Sequence, residues 1–433
     1  MKKIIQLLSA ILLFSSCTIV SRYIRYGEAD IDDSKVFAQY VFKENSDKYF
    51  FNKKSNSVLD TILFKNNRGE LQNLKTILDS TSTRAFVVIQ NDSVLFEEYF
   101  NGYNNQDFST IFSASKSVTS LLIGIAIDEG FIKNTNDPVT KYIKELRDAD
   151  PMFGELTIRH LLDMRSGIKF NESYSNPLSW MARLYYGTNQ LGKIKRMHFK
   201  CKPGTSHEYQ SVSTAILGIV LEKATRQNLA KYFEDKVWKP LGMQNRGSWS
   251  LDDKKHKSAK SYCGLNISAI DLAKIGTLYV NKGKFGGKQI VSEKWITETI
   301  SLNTQNGGGY KNQWYNECYE GEDSLGNIFF KDSTDVIKLY RKKYAHKSVK
   351  GTMLRVTPKG YKKWYREKYM WKDMNEYRYA LKVYPGTNSA VGIMGQILYV
   401  DPKNKTVIVR LGDTKDWEYE QIMLKITEVL QEI

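Results

Sequence analysis

Apolar residues along this chain gather into two hairpin patterns and a set of helical ones. In the first hairpin, Ala85-Phe86-Val87-Val88-Ile89 and Val94-Leu95-Phe96 flank the turn residues Asn91-Asp92, within Arg84 to Tyr99. In the second, Gln396 to Val400 and Thr406 to Leu411 flank Asp401-Pro402-Lys403-Asn404. A long apolar helix is predicted from Ser113 through Leu121, Leu122, Ile125, Ala126 and Ile127, stopping at Gly130. Another runs from Ser211 to Arg226 on Ala215, Ile216, Ile219, Val220 and Leu221. Residues 72–79 predict a short helix, and a helix at 157–165 ends at Gly167 in a left-handed cap. Trp417 to Ile433 is a closing amphipathic helix, so both ends of the chain feed one sheet.

Between these elements lie three less regular regions. Residues 18–75 are polar and read as a tether and N-terminal extension, with Val58 to Phe64 as a strand or short helix. Asn171 to Lys200 is loop-rich and aromatic. A stretch at about 318–380 is basic and aromatic, from Lys338, Tyr340 and Arg341 to Trp371 and Lys372. It fits either a solvated subdomain with its own small core or a cationic, aromatic surface over a site mouth or facing a membrane.

Charge changes this picture through compartment. The chain of 433 residues carries a formal net charge of +17, which suits an acidic partner such as nucleic acid, anionic lipid or acidic polysaccharide. The N-terminus narrows that choice. Met1-Lys2-Lys3 is a short positive region, and Ile4 to Phe14 is an apolar run too short to span a bilayer. Ser15-Ser16-Cys17 follows. The pattern resembles a bacterial lipoprotein signal over residues 1–17, with Cys17 as the lipidated first residue; Phe14 departs from the usual leucine. Export removes nucleic acid from the expected partners. The expected location is the cell envelope, membrane-anchored on the periplasmic side or the outer surface. Cys201, Cys263 and Cys318 remain, an odd number without a C-x-x-C, and five histidines lie scattered. Neither a metal site nor a cofactor is indicated.

The chemistry centres on Phe112-Ser113-Ala114-Ser115-Lys116. Ser113 and Lys116 are three apart and share one helix face. A serine hydroxyl needs a neighbour to take its proton. A lysine can do so when neutral, and both burial and a helix N-terminus lower its pKa. The stretch alone reads better as an ordinary N-cap serine beside a solvated lysine.

Further motifs change that reading. Thr157-Ile158-Arg159-His160-Leu161-Leu162-Asp163-Met164-Arg165-Ser166-Gly167, Pro203-Gly204-Thr205, Tyr209-Gln210-Ser211 and Gly392-Ile393-Met394-Gly395-Gln396 follow in order. Together they resemble the penicillin-recognising serine hydrolases: class C β-lactamases, DD-peptidases, related esterases and aminohexanoate-dimer hydrolases. The resemblance runs from about Thr83 to Leu411, interrupted by the insertion. It implies an α/β (α+β) fold, an antiparallel sheet flanked by helices beside a mainly helical lobe, with the serine hydrolase domain at 76–433. It also implies Ser113 as nucleophile, Lys116 as base, and Tyr209 as proton relay, its phenol lowered by a neighbouring ammonium. Ser211 would hydrogen-bond the lysine or the substrate. The backbone N–H groups of Ser113 and Gln396, next to Gly395, would form the oxyanion hole. His160 reads as structural.

One departure bears on substrate. Many relatives carry Lys or His where this chain has Ile393, which removes a charge used to hold a substrate carboxylate. Recognition of penicillin-like carboxylates is therefore not expected, and the apolar third motif is similar to that of the aminohexanoate-dimer hydrolases. Two functions follow. One is hydrolysis of a small-molecule ester or amide through an acyl-enzyme on Ser113. The other is an exported binding or accessory lipoprotein of the same fold with weak or lost turnover. A Ser-His-Asp hydrolase is excluded by the lack of a G-x-S-x-G elbow and of a partnered histidine.

Overall fold

The computed structural model describes residues 18–54, 58–65, 70–303, 309–321, 328–344, 350–356, 378–414 and 419–431. Elements used below are helix α1 (Thr18–Tyr26), strands β1 (Asn52–Lys53), β2 (Thr83–Gln90) and β3 (Ser93–Tyr99), and helices α2 (Ala114–Asp128), α3 (Ile158–Leu162), α4 (Ser211–Thr225) and α5 (Ala269–Val280). They continue with β4 (Tyr310–Lys311), β5 (Trp314–Asn316), β6 (Asn388–Gly392), β7 (Gln396–Asp401), β8 (Thr406–Gly412) and α6 (Glu420–Gln431).

Strand alternation sorts side chains onto two faces of one sheet. Val87 and Ile89 join a large core with Val118, Leu121 and Leu122 of α2. Phe86 and Val88 point the other way, onto Ile422, Met423 and Ile426 of α6. The turn between β2 and β3 has positive φ at both Asn91 (49°) and Asp92 (58°), the backbone that matches strand twist in a two-residue hairpin. The eight strands run in the order β4-β5-β6-β7-β8-β2-β3-β1. Each pairing is antiparallel except that of β1 with β3. The C-terminal β8 therefore lies beside the early β2. The fold is a mixed α/β body with α5 against β8 and β7, and with α4 packing on α2 and α3 on α4 as a helical layer.

Helix α3 is shorter than the 157–165 pattern suggests. It ends at Leu162, and Met164 takes positive φ (55°) before Gly167 (73°). His160 closes its start: Thr157 N donates to His160 Nδ1 (3.3 Å) and His160 N to Thr157 Oγ1 (3.2 Å). The insertion contributes Tyr319–Gly321, Lys350–Val356 and Arg378–Tyr384 to a three-stranded sheet. Val336 and Leu339 of the helix Ser333–Leu339 pack there on Leu381 and Val383. Its basic stretch 357–377 and the segment 1–17 with Cys17 lie outside the described residues. Among the described residues no helix is long and apolar enough to cross a membrane, and Cys201, Cys263 and Cys318 are free thiols.

Candidate active site

Ser113 stands where a short strand, Ser109–Thr110, turns into α2. The turn forces Phe112 to positive φ (44°) in a buried position. Such strain in a bulky residue persists only where its surroundings over-determine it. The polar residues following Ser113 are what hold it. Ser115 Oγ accepts from Leu265 N (3.1 Å), Ser117 Oγ donates to the Gln313 carbonyl (2.6 Å), and Thr119 Oγ1 donates to the Ser261 carbonyl (2.8 Å). Three of the helix's four buried hydroxyls are thus tied to other parts of the chain. Ser113 itself remains partly exposed.

One turn further on, Lys116 is 1% exposed. Its Nζ lies 2.8 Å from Ser113 Oγ and donates to the Tyr262 carbonyl at 3.0 Å. Burial lowers its pKa to about 8, against the opposing charge of Glu172. Neutral amine is then available close to neutrality, and its lone pair can accept a serine proton. Tyr209 enters just before α4, with Lys116 Nζ 5.0 Å from its ring centroid and a hydrogen bond to Ser113. It packs against Tyr310 and Tyr315 at 5.9 and 6.4 Å. The expectation that an ammonium lowers the Tyr209 phenol is corrected here. Burial raises it, Glu172 adds to the rise, and the Ser113 hydrogen bond only partly offsets them. Tyr209 is therefore held as a neutral phenol rather than a phenolate.

Ser211 also differs from expectation. Its hydroxyl donates to Glu172 Oε1 (2.6 Å) and its N–H to Glu172 Oε2 (2.8 Å), so it meets a carboxylate and not the lysine. The reason lies in α4. Gln210 makes no side-chain cap bond, and an acid from elsewhere satisfies the first N–H of the helix, where negative charge is favoured. Tyr174 OH donates to the same carboxylate at 2.8 Å. Glu172 was not singled out from sequence. Its only signal was an acid placed among the aromatics of the loop after Gly167.

The third motif is a sharp turn between β6 and β7. Met394 and Gly395 both have positive φ (63° and 72°). A Cβ at Gly392 would sit 2.2 Å from the Ile111 carbonyl oxygen, so glycine lets β6 close onto the segment that carries Ser113. Arg410 braces the turn, donating to the carbonyls of Gly395 (2.8 Å) and Thr81 (2.6 Å). The Gln396 side chain turns inward, donating to Gly412 O at 2.7 Å, which leaves its backbone as the part adjoining the turn. Ile393 and Met394 line a cavity of about 320 Å³ that also takes in Ser113, Ser211, Tyr174 and Cys263. Burial pushes the Cys263 thiol up to about 12, so it is no competing nucleophile. Away from this cavity's lining, Asp252, Asp253 and His256 bring ligand-type atoms within 4.8 Å. Asp253 Oδ2 there already pairs with His256 Nδ1 at 2.7 Å.

Sheet order, helical layer and the serine-bearing helix between them define a serine hydrolase of mixed α/β architecture. A family model described as beta-lactamase matches residues 73–425, and the chain belongs to that family. It is 24% identical over 385 residues to the 6-aminohexanoate-dimer hydrolase of Paenarthrobacter ureafaciens, covering 84% of this chain and 82% of that one. Among solved structures, it resembles a candidate 6-aminohexanoate-dimer hydrolase from Bacillus anthracis with TM-score 0.68 and 22% identity, over 95% and 93% of the two chains. A mutant class C β-lactamase has TM-score 0.51 and 13% identity, over 83% and 95%. At these identities the solved structures speak for the fold.

Proposed function

We propose that this chain hydrolyses an ester or amide of a small molecule through an acyl-enzyme on Ser113. The observation that carries this is the buried Lys116 amine, 2.8 Å from Ser113 Oγ and lowered to about 8. In this reading neutral Lys116 takes the Ser113 proton as Oγ adds to the substrate carbonyl. The N–H groups of Ser113 and Gln396 receive the oxyanion, and Tyr209 passes a proton to the leaving group as the scissile bond breaks. Water then adds to the acyl carbon, giving its proton back through Tyr209 and Lys116, and Ser113 leaves with the acid released. The kinship to an aminohexanoate-dimer hydrolase supports an amide as one substrate. Ile393 on the cavity supports poor turnover of benzylpenicillin or a cephalosporin, since the described residues of the lining include no cation for their carboxylate.

The same reading places the protein in a bacterial cell envelope, lipid-anchored through Cys17, with the basic insertion against anionic headgroups or an acidic glycan. Arg22, five residues after Cys17, donates to the carbonyls of Tyr186 and Asp252, which supports an anchor close to the folded body. The test of the enzyme is labelling by a fluorophosphonate probe. Wild type should be labelled, and Ser113→Ala should lose the label while melting cooperatively. Wild type that takes up no probe across a broad pH range would mark the chain as a binding or accessory lipoprotein.

A further inference from the structure

Outside the substrate cavity, one loop collects chemistry that the hydrolase reading does not use. The strand Ser248–Leu251 pairs with Ala38–Val41, and the chain leaves it through Asp252-Asp253-Lys254-Lys255-His256. A tight turn folds these residues back on themselves. Asp253 Oδ1 accepts from Lys255 N (2.8 Å) and from His256 N, and Lys257 N donates to the Asp253 carbonyl (3.1 Å). Aspartate suits such a turn because its side chain bonds the backbone two residues on. The turn brings one carboxylate oxygen of Asp252, one of Asp253 and a ring nitrogen of His256 within 4.8 Å of one another.

The turn alone would be an ordinary surface feature. Asp252 sets it apart. It is 1% exposed, and its two oxygens differ. Oδ1 accepts from Asp253 N (2.8 Å) and Ser258 N (2.9 Å). Oδ2 is shielded from solvent and meets no donor among the described residues; the Gln190 N–H comes near the carboxylate but outside hydrogen-bonding geometry with Oδ2. Arg22 approaches, yet its Nη1 donates to the carbonyls of Asp252 (3.0 Å) and Tyr186 (3.2 Å). A buried carboxylate oxygen without a partner is costly, and a metal cation is a partner that meets its charge directly.

We propose that Asp252, Asp253 and His256 form a zinc site, with Asp252 Oδ2, one oxygen of Asp253 and one ring nitrogen of His256 as ligands and water completing the shell. An imidazole beside two carboxylates suits Zn²⁺ better than Ca²⁺ or Mg²⁺, which take oxygen ligands. Bonds of about 2.0–2.2 Å place tetrahedral ligand atoms roughly 3.3 Å apart, so the cluster closes by small side-chain rotations. The Asp253 Oδ2 to His256 Nδ1 contact at 2.7 Å opens as the metal takes the place of its proton, which is released to solvent. Lys254, Lys255 and Lys257 oppose a cation, but they are exposed and salt screens them. The metal would act as a structural clip. Through the Asp252 carbonyl and Arg22 it braces the Tyr186 backbone on the cavity wall. No hydrolytic step passes through it, so the proposal is independent of the hydrolase reading.

The experiment uses the full chain, stripped with EDTA and titrated calorimetrically with zinc chloride, with melting followed in parallel. Wild type should take up one equivalent and melt higher with zinc than without it. His256→Gln alters a side chain that is 33% exposed and should fold as wild type does. That variant and Asp253→Asn should each weaken uptake by at least about tenfold. Zinc K-edge absorption of the loaded chain should show oxygen and a single imidazole without sulfur, which separates this loop from Cys201 and Cys318. Calcium at equal concentration should not displace the zinc. Uptake unchanged in both variants, a shell containing sulfur, displacement by calcium, or no saturable uptake by wild type would overturn the proposal.

Discussion

Lys116 and Lys260 are both 1% exposed, and in both burial is the main cause of a lowered pKa, to about 8 and about 7 respectively. The lower value belongs to the lysine that touches no nucleophile. Lys260 is sandwiched between the Phe37 and Tyr185 rings, with Asp33 close enough to act on it electrostatically. Lys116 faces Ser113 Oγ at 2.8 Å. Burial alone tunes a lysine toward neutrality, and the atom at its tip decides whether the tuning serves chemistry or packing. A perturbed lysine is therefore a pointer to a site only together with its geometry.

The largest expected effect separates the two directly. Lys116→Ala should lower turnover of a simple aryl ester by roughly 10³–10⁴-fold, the scale of a lost general base. Lys260→Met keeps the Ser113–Lys116 pair in place, and its loss should be at least about an order of magnitude smaller. Equal losses in steady-state kcat would break the distinction. Next in size is Tyr209→Phe, expected to cost roughly 10²-fold in kcat, measured with a poor leaving group where protonation matters most.

Stability gives the reverse contrast. The folded pKa of Lys260, about 7, lies below the ordinary lysine value. Between pH 7 and the ordinary value, the unfolded chain holds more protons than the folded one. Stability from this group therefore rises with pH in that window, by at most about 1.4 kcal/mol per unit. Urea titrations of Lys260→Met should show a shallower rise there than wild type, and an unchanged slope would contradict the lowered pKa of this buried amine. The smallest effect concerns Glu172, whose charge opposes the burial of Lys116. Glu172→Gln should move the inflection of kcat/KM against pH downward, and an upward move would show that the carboxylate acts elsewhere.

Much of this was legible in local pattern. The hairpins around Asn91-Asp92 and Asp401 to Asn404, and helices α2 and α4, follow from apolar runs and turn residues only a few positions apart. Ser113, Lys116 and Tyr209 could be picked out because their motifs stand in a characteristic order, and the fold brings them together. Glu172 was hidden because it caps α4 from 39 residues away, a contact with no periodicity. For the same reason the pairing of Ser211 with Glu172 was not foreseen. The direction of the Tyr209 shift depended on how deeply the aromatic packing of Tyr310 and Tyr315 buries it, which a motif does not encode. The N-terminal segment was read as a tether because its residues are polar. Its hold on the body comes from single long-range contacts by Arg22, Asp33 and Phe37 that leave no repeating signature.

The central claim is that neutral Lys116 activates Ser113. The rate of Ser113 phosphonylation by a fluorophosphonate, followed by intact mass from pH 5 to 10, tests it most directly. The account predicts a rate that climbs about tenfold per pH unit on the acid side and levels off above about 8, with Lys116→Ala slow throughout. A rate independent of pH, or labelling of Lys116→Ala at the wild-type rate, would contradict it.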